Sequence, residues 1–242
     1  MSILLLKREV PSGPGAVTAG LQVLSWLDEG SGQTVVDHSG AGRHGTLGST
    51  TGADTNDPSW SAAGLQFAVD DWVSHGSAAE LRSDAWTISV AAKVTPGVAV
   101  PLVGWGSVAQ FPAVYAAAPF NQNRPLIWLA STCFRYFDKA SPSNLQDGGW
   151  HFFVFSCPGN AAADILQSEL VVDGLSHAAT STDNSTAGQS KTICRLGAAG
   201  TTYFANAEVA FFSVHNRVLS GAEKEAMRTY AKAVLTGRVT LP

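Results

Sequence analysis

Charged residues are scarce in this chain of 242 residues. Asp, Glu, Lys and Arg make up 14% of it, against about 25% in ordinary soluble domains. The formal net charge is −4, and no run of Lys or Arg occurs. These absences argue against nucleic acid or an anionic membrane surface as a partner, because both require clustered positive charge. Neutral partners fit this composition better.

Cysteines and long apolar runs are also few. Cys133, Cys157 and Cys194 are odd in number and widely spaced, which matches neither a disulfide framework nor a zinc pattern. We interpret them as small buried hydrophobic residues. The apolar run near the N-terminus is too short for a signal peptide and precedes the positive charges. No stretch approaches the roughly 18 apolar residues of a membrane span. The sequence thus predicts a chain made in the cytoplasm, without membrane insertion.

Apolar and aromatic residues are abundant, at 45% hydrophobic residues with seven tryptophans. From Leu21 onward, apolar or alternating runs of about 5 to 9 residues are separated by polar segments, as is typical of β-strands. No alternation of strands with helices occurs, so a parallel sheet is not expected. The polar stretch from His177 to Ser190 is predicted to be a loop. The runs are "LQVLSWL", "GLQFAV", "WTISVAAKV", "PLIWLA", "WHFFVFSC", "SELVVDG" and "AEVAFFSV".

One segment has a helical period instead. In "LSGAEKEAMRTYAKAVLTG" the apolar residues fall on one face, which predicts a helix at about 221–236 docked on a β-body. Ser220 and Glu223 have the spacing of a capping box, and Gly237 is a natural stop.

The first 20 residues are predicted to form an extended arm. An apolar tip is followed by "VPSGPGAVTAG", whose prolines and glycines disfavour regular structure. Because the tip must be buried against something, we predict that the arm is an assembly element that binds other subunits or another copy of the chain. The residues of the tip are Ile3, Leu4, Leu5 and Leu6.

The stretch "VVDHSGAGRHGTL", residues 35–47, concentrates polar residues and glycines. Asp37 is placed to accept hydrogen bonds from backbone N–H groups that follow it, as in an Asx-turn. A phosphate loop would need a helix directly after the glycines and usually a lysine. A calcium loop needs several oxygen ligands, and here only Asp28 and Glu29 could assist. A turn is favoured over a metal site, and both interpretations remain open.

Six segments in order resemble the laminin-G-like, concanavalin A-like jelly-roll family. The resemblance implies a single all-β domain at 21–242, an antiparallel β-sandwich that ends in one helix, and it covers Leu21 to about Glu225. Relatives commonly carry Asp where this chain has Ala207, a position often near bound calcium or a structural polar cluster, so the resemblance argues against a metal here. The segments are "VLSWLDEGSGQTVVDHSGAGRHGTL", "GLQFAVDDWV", "WTISVAAKV", "WHFFVFSC", "LVVDG" and "AEVAFFSVHNRVLSGAE".

The same superfold includes glycan hydrolases, whose catalytic carboxylates alternate along one strand as Glu-x-Asp-x-x-Glu. That motif is absent. The nearest pairs are Glu80 with Asp84 and Glu169 with Asp173, but Asp173-Gly174 is typical of a hairpin turn.

Two further side chains of reactive residue types give no support for catalysis. His151, at a strand start, is predicted to be a structural histidine, since no nucleophile with a carboxylate partner can be placed beside it. Cys157 lacks the basic neighbours that activate a thiol. The sequence therefore predicts no catalytic residue, no enzyme activity and no cofactor.

Binding would rest on exposed aromatic side chains that stack on sugar rings or pack on a protein. The candidates are Trp105, Tyr115, Trp128 and Tyr136. Trp105, flanked by glycines, looks most loop-like and is the preferred one.

Three functions follow. The first is a non-catalytic structural or adhesive module. Because relatives mostly act outside cells and this chain shows no export signal, it is predicted to be a bacteriophage virion component, a capsid-decoration or tail protein that forms homo-oligomers and also binds cell-surface glycans. The alternative is a carbohydrate-binding module of a larger secreted protein. The least favoured is a glycoside hydrolase.

Overall fold

Two antiparallel β-sheets pack face to face, and one C-terminal helix covers the outer side of the first. This architecture was obtained as a computed structural model, which describes residues 15–68, 70–75, 85–96, 98, 100–105, 113–117, 124–140, 144–145, 147–159, 161–185, 194–199 and 203–242. The prediction of an all-β antiparallel sandwich with a C-terminal helix is confirmed. Ile3 to Leu6, Glu80 and Asp84 lie outside the described residues.

The strands of the two sheets are interspersed along the chain, with up to four consecutive strands in one sheet. In chain order they are β1 (Leu21–Ser25), β2 (Thr34–Val35), β3 (Gly45–Leu47), β4 (Ser59–Trp60), β5 (Leu65–Phe67), β6 (Val73–Ser74), β7 (Trp86–Val94), β8 (Val100–Trp105), β9 (Ala113–Ala117), β10 (Leu126–Ala130), β11 (Cys133–Phe137), β12 (Trp150–Cys157), β13 (Glu169–Val172), β14 (Leu175–His177), β15 (Ala179–Asn184), β16 (Cys194–Leu196), β17 (Ala198–Ala199), β18 (Tyr203–Phe204) and β19 (Ala207–His215).

Within the described residues, eight strands form sheet A and nine form sheet B. Sheet A runs β14-β13-β12-β7-β19-β5-β4, and β1 also pairs with β19. Sheet B runs β15-β11-β10-β9-β8-β16-β6-β3-β2, and β17 pairs with β18 as a separate hairpin.

Strands β7 and β12 form the centre of sheet A and have the bounds that the apolar runs predict. Alternate residues of β12 face opposite sides: Phe153 and Phe155 enter the core between the sheets, whereas Phe152 and Val154 lie under the helix. Because both faces are covered, the strand is apolar at nearly every position. The three free cysteines are buried, as expected.

Strand β15 corrects the prediction of a loop from His177 to Ser190. Residues Ala179–Asn184 pair with β11, with Cys133 opposite Asn184 and Phe137 opposite Ala179. The strand lies at the edge of sheet B and its side chains are mostly exposed. It carries no apolar alternation because backbone hydrogen bonds, and not side-chain burial, hold it.

Helix α1 (Gly221–Leu235) begins at the predicted capping box. Ser220 Oγ accepts from the Glu223 backbone N–H, and the Glu223 carboxylate accepts from the Ser220 N–H at 2.8 Å. Its apolar face packs on the outer side of sheet A through Met227, Tyr230 and Val234. Among the described residues, no helix is both long and apolar enough to cross a membrane.

The end of the predicted arm belongs to the body of the domain. The Val17 N–H lies 3.3 Å from Met227 Sδ, and the Val17 carbonyl accepts from His215 Nε2 at 2.9 Å. Arg217 Nε donates to the Ala19 carbonyl at 2.8 Å. Residues 15–20 therefore contact helix α1 and strand β19, and a deletion of residues 1–20 would remove part of the domain's packing. The assembly role of the arm stays a prediction.

Stability should fall as the pH drops below about 6.5, the pKa of histidine in an unfolded chain. Burial lowers the pKa of His215 and of His75, so each takes up a proton on unfolding in mild acid. Their contribution is therefore complete above the unfolded pKa and is lost below it, by up to about 1.4 kcal/mol per pH unit and histidine. We expect the free energy of unfolding of His215→Gln, measured with urea between pH 7.5 and 5, to depend less steeply on pH than that of the wild type. The same pH dependence in both proteins would contradict the prediction that His215 takes up a proton on unfolding.

Candidate functional site

The outer face of sheet B, which points away from the core, carries a continuous row of paired residues. Side chains alternate between the two faces of a strand, and the residues next to this row in sequence belong to the core, so the row itself faces outward. These core residues are Val35, Leu47, Val73, Val103 and Leu196. The row consists of Thr34, Thr46, Ser74, Arg195, Gly104, Ala113, Trp128, Phe134 and Asp183, each opposite the next.

The β17–β18 hairpin lies over the middle of this row. A Cβ atom on Gly104 would come within 2.4 Å of the Ala198 carbonyl oxygen, so only glycine allows the hairpin to approach β8. The hairpin divides the outer face of sheet B into two parts with different surfaces.

An aromatic cluster occupies the part formed by β9, β10 and β11. The Tyr115 ring centre lies 6.3 Å from that of Trp128 and 6.2 Å from that of Tyr203, and Phe134 lies 5.4 Å from Tyr136. Three of the four predicted binding residues are thus brought together on one outer face.

Their burial corrects the expectation that these rings lie at a ligand surface. Tyr115 is 0% exposed, Tyr136 7% and Trp128 8%. Burial also raises the pKa of the Tyr115 hydroxyl. Rings packed on one another in this way offer no free face to a ligand.

Trp105, the preferred candidate, lies on the opposite face. It is the last residue of β8, 2% exposed, and its ring centre is 5.3 Å from that of Trp86 in the core. Trp105 therefore does not lie in a surface loop, and this prediction is wrong. Gly104 belongs to a strand, where it admits the hairpin, and does not mark a loop.

A groove lies on the other part of the outer face, across β3, β6 and β16. It encloses about 670 Å³ including its mouth, and two half-buried side chains, Trp72 and Arg195, stand among hydroxyl groups. The lining residues are Thr46, Gly48, Ser49, Thr50, Thr51, Trp72, Ser74 and Arg195.

The backbone of Trp72 is fixed from two sides. Its N–H donates to the Asn56 carbonyl at 3.2 Å, and its carbonyl accepts from the Gly48 N–H at 2.8 Å. Its ring stacks on Phe204 of the hairpin, with ring centres 6.0 Å apart. The tryptophan therefore links the 48–56 loop, the edge of β6 and the hairpin.

Arg195 stands beside Trp72 on strand β16, opposite Ser74 of β6 and Gly104 of β8. Its Cζ atom is 5.1 Å from the centre of the Trp72 ring, within the range of a cation–π contact. Burial lowers the pKa of Arg195, yet a guanidinium stays charged at neutral pH. The groove thus holds a fixed positive charge against an aromatic ring.

One hydroxyl of the groove wall is oriented by a carboxylate. Ser49 Oγ donates to Asp54 Oδ2 at 2.8 Å, and the Asn56 N–H donates to Asp54 Oδ1 at 2.9 Å. Backbone hydrogen bonding from Asn56 and then the Ser49 hydroxyl lower the pKa of Asp54. Because Ser49 uses its proton on Asp54, its oxygen remains an acceptor for a ligand hydroxyl.

Neither Trp72 nor Arg195 has a sequence pattern that predicts a binding site. Trp72 lies within the segment "GLQFAVDDWV", which served only as a family landmark. Arg195 carried no local signal, since a single arginine in an apolar strand is not a motif.

Asp37 in the opening stretch is a turn residue, as predicted. Its Oδ1 accepts from the N–H groups of Leu24 at 3.0 Å and Ser39 at 2.9 Å, and its Oδ2 from Ser39 Oγ and Arg43 N, both at 2.8 Å. Burial opposes ionisation, but the bonds from Ser39, Leu24 and Arg43 outweigh it and lower the pKa of Asp37. All of these donors come from the protein itself, which agrees with the role of a turn residue.

Asp28, Glu29 and His38 offer ligand atoms within 4.8 Å of one another. Glu29 Oε1 already accepts from the Val36 N–H at 2.6 Å, and the His38 ring stacks on Trp26 at 3.9 Å. Three ligand atoms fall short of the six to eight oxygens that calcium prefers. The absence of a required metal stays a prediction.

Calcium should leave the stability unchanged. A site filled at 100 times its dissociation constant would add about 2.7 kcal/mol to the free energy of unfolding. We expect the same melting temperature in millimolar calcium and in chelator. A rise in calcium that Glu29→Gln abolishes would instead identify a metal site at Asp28, Glu29 and His38.

The carboxylates considered for catalysis have separate structural partners. Glu169 accepts from the buried ammonium of Lys224, which also donates to Ser156 Oγ at 3.1 Å. Asp173 and Gly174 have positive φ values of 55° and 85° and form the tight β13–β14 turn, as predicted.

His151 has a partner at each ring nitrogen. Nδ1 lies 2.7 Å from Asp173 Oδ2 and Nε2 lies 3.1 Å from Asp147 Oδ1. Burial opposes protonation, but the bonds to Asp173 and Asp147 outweigh it and raise the pKa of His151. These contacts agree with a structural histidine that anchors the β13–β14 turn. The buried Cys157 thiol contacts the Gly159 carbonyl at 3.2 Å.

Comparison with known proteins supports the fold alone. No protein-family model and no curated protein matches the chain. Trypanosoma rangeli sialidase in complex with sialic acid matches 90% of this chain at 14% identity, with a TM-score of 0.57. Domain 4 of an extracellular arabinanase from Geobacillus stearothermophilus, in complex with arabinotriose, matches 86% at 12% identity, with a TM-score of 0.60. The binding domain of botulinum neurotoxin DC in complex with SialylT matches 89% at 8% identity, with a TM-score of 0.56.

The chain corresponds to different shares of these proteins. It covers 34% of the sialidase chain and 52% of the neurotoxin domain, but 98% of arabinanase domain 4. The prediction of an all-β sandwich is thus supported at the level of fold. These comparisons offer no support for a bacteriophage origin.

Proposed function

We propose that the protein is a glycan-binding module that does not catalyse a reaction. The observation that carries this proposal is the groove on the outer face of sheet B, where Trp72 and Arg195 stand among hydroxyl side chains. Sugar-binding sites combine an aromatic or charged anchor with several hydrogen-bonding groups. Two of the similar structures are complexes, arabinanase domain 4 with arabinotriose and the neurotoxin binding domain with SialylT.

These comparisons favour the carbohydrate-binding alternative over the virion component. No virion, capsid or tail protein is among the similar structures reported above. A role in a virion, with partners bound through the N-terminal arm, stays a prediction that mass spectrometry of purified particles would test.

Binding without catalysis is supported by the carboxylates. A glycosidase needs two acidic side chains that flank one bond, about 5 Å apart or further. Glu169 instead binds Lys224, and Asp173 binds His151 across the β13–β14 turn. We expect no release of reducing sugar from polysaccharides. Release that disappears in Glu169→Gln would contradict this part of the proposal.

Glycan binding should depend on Trp72. On a panel of neutral and acidic oligosaccharides, we expect Trp72→Ala to weaken binding by about tenfold or more, because the groove loses a wall and Arg195 its aromatic support. By analogy with nucleic-acid bases that stack on aromatic side chains, an aromatic wall contributes roughly 1–3 kcal/mol to binding.

The matched control is Trp60→Ala. Trp60 is also half-buried, but it lies on β4 of sheet A, where its indole N–H donates to the Gly32 carbonyl at 2.9 Å. We expect Trp60→Ala to leave the affinity for saccharides unchanged. Wild-type protein that binds no saccharide on the panel, or equal losses in both variants, would overturn the proposal.

A further inference from the structure

We propose that the groove selects acidic sugars, with the ligand carboxylate bound by Arg195 and the ligand hydroxyls bound by the Ser and Thr side chains of the lining. This inference rests on the proposed function and adds the chemical class of the ligand. It is carried by the position of Arg195, by the charge of the lining and by the distribution of hydroxyls.

The position of Arg195 is determined by strand pairing on both sides. Residue 195 is the middle residue of β16, which pairs with β6 and β8, and it lies opposite Ser74 and Gly104. The small residue at 104 and the short side chain at 74 leave the arginine as the largest side chain of this part of the row. Its backbone therefore cannot shift without a change in both pairings.

Trp72 determines which part of the guanidinium a ligand meets. The contact at 5.1 Å places the indole ring against Arg195. A guanidinium that packs on a ring uses its flat face, whereas its five N–H donors lie in its own plane at the edge. The edge matches the two oxygens of a carboxylate, which can accept two parallel hydrogen bonds. Trp72 thus acts as a positioning residue for Arg195.

The Arg195 guanidinium favours an anion next to it. Among the eight described lining residues, Arg195 is the one that carries a charge; the Asp54 carboxylate does not line the groove and accepts from the Ser49 and Thr50 hydroxyls of the opposite wall. A bound sugar removes water from the guanidinium, which costs free energy unless the ligand compensates it. A carboxylate does so through charge-assisted hydrogen bonds, roughly twice as strong as those of a neutral hydroxyl. A single cation matches one carboxylate better than a dianionic phosphate.

The remainder of the lining fits a hydroxylated ligand. Thr46 and Ser74 are paired neighbours on the outer face, and Ser49, Thr50 and Thr51 form the opposite wall. Ser49 donates to Asp54 and Thr50 to the Gly52 carbonyl, so the oxygens of both side chains can accept from the hydroxyls of a sugar. A carboxylate on an apolar molecule would leave these groups unused, so the combination indicates an acidic saccharide.

The experiment compares matched saccharides that differ only in their acidic group, using calorimetry on the full chain. One pair is sialyllactose and its carboxyl-reduced product, and another is an oligogalacturonate and its carboxyl-reduced product. We expect the acidic member to bind at least tenfold more tightly in one of the pairs, with an affinity that falls as salt rises. Arg195→Gln should reduce this preference to within about twofold, and Arg195→Lys should retain part of it. The charge-matched control is Lys93→Gln, an exposed residue of sheet A, which should leave the preference intact.

The outcomes separate the two proposals. Equal affinity for both members of every pair, unchanged in Arg195→Gln, would overturn the acidic-sugar inference while glycan binding stood. A stronger preference for a sulfated sugar than for the carboxylated one would overturn the carboxylate assignment. Failure to bind any saccharide would overturn the proposed function itself. The wild-type comparison decides the question even if Arg195→Gln does not fold.

Discussion

Replacing Asp37 with alanine should lower the free energy of unfolding by about 4 kcal/mol. The carboxylate accepts four hydrogen bonds, three of them from backbone N–H groups of Leu24, Ser39 and Arg43. Hydrogen bonds to a charged group contribute about 1.5–3 kcal/mol each, and buried donors without an acceptor add a penalty, although these effects are not additive. Urea unfolding at pH 7 measures the change.

Asp37→Asn and pH provide the controls for this result. Asparagine keeps one acceptor oxygen and should lose about half as much stability as alanine. Because the pKa of Asp37 is lowered in the folded protein, its contribution is present above the unfolded pKa of about 3.9 and is lost as the pH falls through the folded pKa. A loss below 1 kcal/mol, or one seen only when calcium is present, would contradict the assignment of Asp37 as a turn residue.

Replacing Arg238 with alanine should cost about 3 kcal/mol. Its guanidinium donates to three carbonyl oxygens, those of Trp26 at 2.7 Å and of Leu27 and Ala63 at 3.1 Å. These bonds connect the segment after α1 with the chain after β1 and with the β4–β5 turn. Their loss leaves the carbonyls without a charged donor. In a domain of this size we expect the melting temperature to fall by roughly 6–12 °C.

Two other variants define the specificity of that effect. Arg238→Lys keeps the charge but cannot reach three carbonyls in one plane, so it should recover less than half of the loss. Arg228→Ala removes an arginine whose main partners are the Glu225 carboxylate and the Pro242 carbonyl at the helix surface, and it should cost under about 1 kcal/mol. Equal losses in Arg238→Ala and Arg228→Ala would show that Arg238 is not a structural connection.

Elements with local signals were predicted well. Strands β7 and β12 have the bounds of their apolar runs, because each is covered on both faces and needs apolar residues throughout. Helix α1 begins at its capping box, where Ser220 and Glu223 bind each other's backbone within four residues. The turn at Asp37 depends largely on donors close to it in the chain. Strand β15, which no buried side chain marks, was missed.

The aromatic residues show where local pattern is insufficient. Tyr115, Trp128 and Tyr136 occupy outward positions on neighbouring strands, which alternation alone indicates. Whether an outward ring is exposed depends on what covers that face, and here the rings pack on one another and on Tyr203 of the hairpin. Trp105 faces inward because Gly104, which looks like part of a loop in sequence, occupies the outward position of the strand.

The sequence by itself determined the sandwich class, its two central strands, the capped helix and the turn at Asp37, because each follows from contacts between residues near in the chain or from burial on both faces. Only the tertiary structure decided the groove. Thr46, Ser74 and Arg195 come from distant segments and become neighbours through the pairing of β3, β6 and β16. The register of such long-range pairing is set by the packing of the whole sandwich. The sequence around a polar residue in the middle of a short strand does not indicate which residues of other strands will lie opposite it.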